Sequence, residues 1–62
     1  MNIKDILLNP SKRRELADQI GTSQAYLWQI GTGRRKGSPE MAKRIEKATG
    51  IHRSQIRPDL WN

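Results

Sequence analysis

Helix-stopping and helix-starting residues cut this 62-residue sequence at Asn9-Pro10, Gly21-Thr22-Ser23, Ser38-Pro39 and Gly50, and no long helix fits between them. Within the pieces, apolar residues return every three or four positions, and no alternating run of useful length suggests a strand. Short amphipathic helices are marginal alone and must pack on one another. The sequence therefore predicts an all-α fold, a compact bundle of about five short helices in one domain over residues 1–62.

Ile3, Ile6 and Leu7 follow the i, i+3, i+4 rule behind Asn2 as an N-cap, giving a first helix over roughly residues 2–8. Ser11 can cap the second helix, and Asn9 followed by Pro10 at the first helical position is the alternative. Leu16, Ala17 and Ile20 form its stripe, and Gly21 ends it. The third helix starts at Thr22 or Ser23, turns Tyr26, Leu27 and Ile30 to one side, and ends near Gly31 or Thr32. Residues 31–37 read as a flexible, basic connection. Ser38-Pro39 opens a fourth helix that runs to about Thr49, with Met41, Ala42, Ile45 and Ala48 inward and Gly50 as its C-terminal cap. The tail suggests one more turn, with Ile51, Ile56, Leu60 and Trp61 closing over the core.

Twelve Lys and Arg against six Asp and Glu give a net charge of +6, and the charge is uneven. Residues 1–33 carry four basic and three acidic groups, net +1, whereas residues 34–62 carry eight and three, net +5. That concentration favours a polyanionic partner, nucleic acid before membrane, because phosphate contacts release condensed counterions. The absence of cysteine excludes a disulfide framework and a thiolate site, and points to a reducing setting. The first eight residues contain a charge pair and run into Asn9-Pro10, which suits neither a signal peptide nor a membrane span. His52 has no second histidine or cysteine to complete a common zinc set and reads as a cap or surface residue. Gly31, Gly33 and Gly37 do not have the spacing of a nucleotide loop. No nucleophile with a base and no carboxylate pair can be assembled. The expectation is a protein without enzymatic activity, metal, cofactor or small-molecule ligand.

Arg13 to Thr32 is the informative stretch. Ala17 lies in one helix, Gly21 falls four residues later at the turn, and Leu27 and Ile30 line the next helix, which is the spacing of a helix-turn-helix. A small residue at Ala17 lets the helices cross closely, and Gly21 can take the positive φ of the turn. The outward face then carries Gln24, Ala25, Trp28 and Gln29, the positions that reach base edges in a major groove. Arg34, Arg35 and Lys36 follow that helix directly and are candidate phosphate contacts, with Ser11, Lys12 and Arg13 as secondary ones near the start of the preceding helix. Thr22 and Thr32, at the two ends of the recognition helix, complete the phosphate set. Arg14 reads as solvated, and Lys43, Arg44 and Lys47 with Glu40 and Glu46 read as an exposed, salt-bridged helix face.

Leu16 to Gln24, with Gln29 and Gly33-Arg34-Arg35, resembles the DNA-binding domains of lambdoid phage repressors and Cro proteins. Residues 45–50 and 55–61 resemble the C-terminal half of short prophage Cro-like regulators of the YdaS type. The resemblance implies a cytoplasmic repressor in a bacterial host. It would bind a double-stranded DNA operator of two half-sites as a weak homodimer, strengthened on DNA. By position, Gln24, Ala25, Trp28 and Gln29 match the family's base-reading face, and Arg34 and Arg35 match its basic loop. Trp28 is bulky where relatives often carry a small or polar residue, and Ile30 stands where closer relatives carry Trp. Leu60 and Trp61 can cap the chain's own core or form the dimer contact. A second class of function is a protein-interaction module, such as an antitoxin or anti-repressor, whose main partner is another protein.

Overall fold

A computed structural model describes residues 2–61. Its elements begin where a side chain accepts a backbone N–H that the helix leaves free. Asn2 Oδ1 accepts from the Lys4 N–H at 2.9 Å and opens α1 (Ile3–Leu7). Asn9 Oδ1 accepts from the Lys12 N–H at 3.0 Å and opens α2 (Pro10–Ile20), with Pro10 in its first turn. Ser23 Oγ accepts from Tyr26 at 3.1 Å ahead of α3 (Gln24–Gly31), and Ser38 Oγ from Met41 at 3.0 Å ahead of α4 (Pro39–Thr49). One turn of 3-10 helix, Arg53–Gln55, follows; its cap is His52, whose Nδ1 accepts from the Ser54 N–H at 3.1 Å. Four α-helices and this single turn stand where about five helices were expected, and no strand occurs among the described residues.

At two boundaries the structure selects between the alternatives the sequence left open. Ser11 does not cap α2 but lies exposed inside it, because Pro10 has a φ already suited to a helix and lacks the N–H that this position would leave unpaired. α3 ends at Gly31, one of the two expected positions, so the connection begins after it. Gly31 is buried, and a Cβ built there would lie 2.8 Å from Leu7 Cβ, so α1 and α3 approach to a distance that only a hydrogen fits.

Leu7, Leu27 and Ile45 are the large side chains with no meaningful exposure, one from each of α1, α3 and α4, and Leu16 and Ala17 add the buried face of α2. Each large one contributes about 1.5–3 kcal/mol through burial. α2 packs on α1, α3 and α4, and the 3-10 turn closes on α4. Gln55 Oε1 accepts from the Ile3 N–H at 3.1 Å, joining the two ends of the chain and pairing a donor at the start of α1. Ile51 and Ile56 are buried as expected, and Trp61 packs at the rim. Leu60 does not close over the core: it is 46% exposed, carried outward by the turn in which its N–H donates to Arg57 O at 3.0 Å.

At the junction of α2 and α3, Gly21 has φ 70°, and the N–H groups of Gly21 and Thr22 both donate to Ala17 O, at 2.9 and 3.0 Å. The left-handed residue reverses the chain within three positions, and buried Ala17 leaves room for α3 to cross.

Candidate nucleic-acid interface

The eight residues of α3 divide by the helical period. Leu27 and Ile30 face the core, Tyr26 is half-buried beside them, and Gln24, Ala25 and Trp28 lie exposed on the opposite side. Gln29, expected on the outer face, is half-buried at its edge. Trp28 is 39% exposed, and the Arg34 guanidinium sits 5.1 Å from its ring centroid, a cation–π distance.

The C-terminal end of α3 explains how Arg34 reaches that ring. Gln29 O accepts from the Arg34 N–H at 2.9 Å, the Arg35 N–H at 3.1 Å and the Thr32 hydroxyl at 3.2 Å. These donors occupy a carbonyl that a helix end leaves free, and they fold the chain back along α3. Arg35 thereby approaches the ring of Tyr26, at 6.0 Å. The connection expected to be flexible is therefore anchored where it begins.

It is anchored where it ends as well. Arg57 Nη1 donates to Gly37 O at 2.6 Å, while Arg57 Nε and Nη2 donate to Asp59 Oδ1 and Oδ2 at 2.9 and 2.8 Å. The hydrogen bonds from Arg57, with the nearby charges of Arg57 and Lys36, outweigh desolvation and lower the Asp59 carboxyl to about 2.

All three acidic residues of the basic half have partners outside the loop. Glu40 pairs with Arg44 at 3.2 Å, Glu46 with Arg53 at 3.7 Å and Asp59 with Arg57 at 2.8 Å. Among the described residues no ion pair involves Arg34, Arg35 or Lys36, and all three are exposed. Positive charge is thus concentrated beside the exposed face of α3, with Asp59, held by Arg57, the acid whose charge is felt at Lys36.

The remaining sequence candidates fall into two groups. Ser11 and Lys12 are exposed in the first turn of α2, and a shallow cleft of about 200 Å³ lined by Pro10, Ser11, Arg14 and Gln24 joins that turn to the start of α3. Arg14, which the sequence left as a solvated charge, belongs with this group; only the crossing of the two helices reveals it. Arg13 turns the other way, is half-buried, and donates from Nη1 to Leu7 O at 3.1 Å, which pairs the C-terminal carbonyl of α1. Thr22 is half-buried at the turn, and the Thr32 hydroxyl bonds its own helix. Leu60 is exposed at the far end of the tail, and Trp61 is half-buried with the Arg53 guanidinium 4.9 Å from its ring centroid. Among the described residues no group of three or more His, Cys, Asp or Glu is placed to hold a metal ion, and no helix is long and apolar enough to cross a membrane.

Comparison with known proteins gives a family match over residues 12–62, to the family described as Bacterial toxin YdaS. The chain is 34% identical over 56 residues to a protein of Escherichia coli (strain K12) named "Prophage transcriptional regulatory protein"; the match covers 87% of this chain and 85% of the relative. No solved structure matches the chain significantly.

Proposed function

The chain belongs to the family described as Bacterial toxin YdaS, and on that premise we propose that it is a Cro-like, sequence-specific regulator of transcription that binds double-stranded operator DNA. The observation that carries the reading is the pairing of two features on one side of the molecule: the exposed outer face of α3, and the loop cations that fold back against it without acidic partners. α3 enters the major groove, where Gln24 and Gln29 hydrogen-bond base edges and Ala25 and Trp28 make apolar contact. Arg34, Arg35 and Lys36 meet phosphates on one flank, and Ser11, Lys12 and the N-terminal turn of α2 meet them on the other, with Thr22 and Thr32 at the two ends of α3. Arg13 adds to the local field while its side chain supports α1. The protein acts in the bacterial cytoplasm by occupying its operator, with no catalytic step. Two copies bind related half-sites as a homodimer weak in solution and stronger on DNA, and exposed Leu60 with Trp61 supplies the contact.

Selection of bound duplexes from a random pool tests this, followed by titration of the enriched duplex and a scrambled control at two salt concentrations. The expected result is a motif of inverted half-sites about one helical turn apart, with affinity that falls steeply as salt rises. Salt-sensitive binding without a motif would reduce the reading to architectural binding. A second reading, in which the main partner is another protein, draws on the family's description as a toxin and on exposed Leu60; failure to bind any duplex would leave it in place.

A further inference from the structure

We propose that Arg57 and Asp59 form a latch that positions the basic loop for phosphate, with Arg57 a positioning residue and not itself a DNA contact. This rests on the DNA-binding reading above.

The Arg57 side chain is only 15% exposed, and each of its three nitrogens already donates, Nη1 to Gly37 O and Nε and Nη2 to Asp59, which uses three of its five N–H groups. It is the one guanidinium among the described residues that hydrogen-bonds the backbone of the loop, across twenty positions of sequence. Its target is placed tightly. Gly37 has φ 80°, and a Cβ there would lie 3.1 Å from Ile30 Cδ1 and 4.0 Å from Ile56 Cγ2, so the loop's exit is set between the recognition helix and the tail. The loop's entrance is fixed by Gln29 O. Arg34, Arg35 and Lys36 thus ride on a short span held at both ends, which reduces the ordering that phosphate contact would otherwise require. Asp59 sets the direction of the arrangement, because its two oxygens accept from Arg57 Nε and Nη2 and leave Nη1 aimed at Gly37 O.

Asp59 gives a test in which charge and geometry predict opposite signs. By charge alone, Asp59→Asn removes a negative group near Lys36 and strengthens binding to DNA. By the latch, the same change frees Arg57 from its clamp, loosens the Gly37 end and weakens binding. The variants are Asp59→Asn, Arg57→Gln and Asp59→Glu, each titrated with duplex DNA at several salt concentrations well below its own melting temperature. The backbone order of residues 33–37 is read in parallel by 15N heteronuclear NOE. The latch predicts about tenfold weaker binding for Asp59→Asn and a salt slope smaller by about one to two, the loss of one or two phosphate contacts. It also predicts lower NOE values in the loop with the helices unchanged, and recovery of both readouts in Asp59→Glu, which keeps the carboxylate. Equal or tighter binding by Asp59→Asn, or unchanged loop order, overturns the proposal. If the wild-type protein binds no duplex, the functional reading fails by itself, and the NOE comparison still decides whether the latch holds the loop.

Discussion

Replacing Gly31 with alanine sets two known effects against each other at the contact between α1 and α3. Alanine is favoured over glycine inside a helix by about 1 kcal/mol, and by less at position 31, the last residue of α3. Against this, the new Cβ would lie 2.8 Å from Leu7 Cβ and 3.1 Å from Leu8 Cδ2. Carbon atoms rest at about 3.5–4.0 Å. Leu8 can rotate aside, but Leu7 Cβ is bonded to the backbone, and only movement of α1 relieves the overlap. α1 is held there by buried Ile3, Ile6 and Leu7, so the shift disturbs all three. Overpacking of this kind costs about 1–3 kcal/mol, which leaves a net loss of about 1–2 kcal/mol after the helix preference. A domain of this size has about 3–9 kcal/mol of stability, and a loss of that magnitude lowers Tm by about 4–16 °C. Thermal and urea unfolding followed by far-UV circular dichroism measures it. The double variant Gly31→Ala with Leu8→Ala should not recover the loss, because the limiting contact is with Leu7. A single variant as stable as the wild type would refute the close approach of these helices.

Three further outcomes are expected. Gln24→Ala should lose about 1–3 kcal/mol of binding at particular base pairs if its contact is bidentate, and an equal loss on all duplexes in the selection assay would remove it from the base-reading face. Arg35→Ala should weaken specific and random duplexes alike and lower the salt slope by about one; an unchanged slope would show that it meets no phosphate. Asp59 has a folded pKa of about 2 against the ordinary 3.8, so its contribution to stability is present above the ordinary value and is lost as pH falls from about 4 to about 2. Asp59→Asn should therefore be less stable than the wild type at pH 6 in urea titrations, with the difference vanishing near pH 2.

The parts of the fold legible in sequence are those specified by short-range chemistry. Asn2, Ser23, Ser38 and Gly50 act where they were read, because a cap needs only a side chain or a left-handed residue within three or four positions of its partner. Asn9 and Ser11 were both able to cap α2, and the identity of Pro10 decided between them. Gly31 ends α3 as the sequence suggests, but its contact with α1 is not legible: a glycine near a helix end has the same sequence signature whether it relaxes the backbone or admits a neighbour. Leu60 stays open between the core and an outward contact in sequence because hydrophobicity alone does not fix direction, and a turn closed on Arg57 O sends it outward. The outer face of α3 follows from its period, whereas the place of Arg14 beside Gln24 and the bond from Arg57 to Gly37 O are not legible in sequence, because their neighbours lie on other elements.

The charge distribution shows why the three-dimensional pairing matters more than the total. Residues 34–62 hold eight cations and three carboxylates, and composition alone leaves open which cations are neutralised. The fold assigns the carboxylates to Arg44, Arg53 and Arg57, all outside the loop. A surface pair of this kind adds little stability in itself, about 0–1 kcal/mol. Its larger consequence here is selective: had Glu40, Glu46 or Asp59 faced Arg34 or Arg35, the same net charge would have left a less positive loop beside α3. Instead the cations nearest the exposed tryptophan make no ion pair among the described residues, while Asp59, whose charge interacts with Lys36, is clamped onto the Arg57 guanidinium. Moving a carboxylate without changing the total, for example by Lys36→Glu combined with Glu40→Lys, should therefore weaken duplex binding although the net charge stays at +6. Retained affinity in that swap would mean that the overall field, and not the loop, holds the DNA.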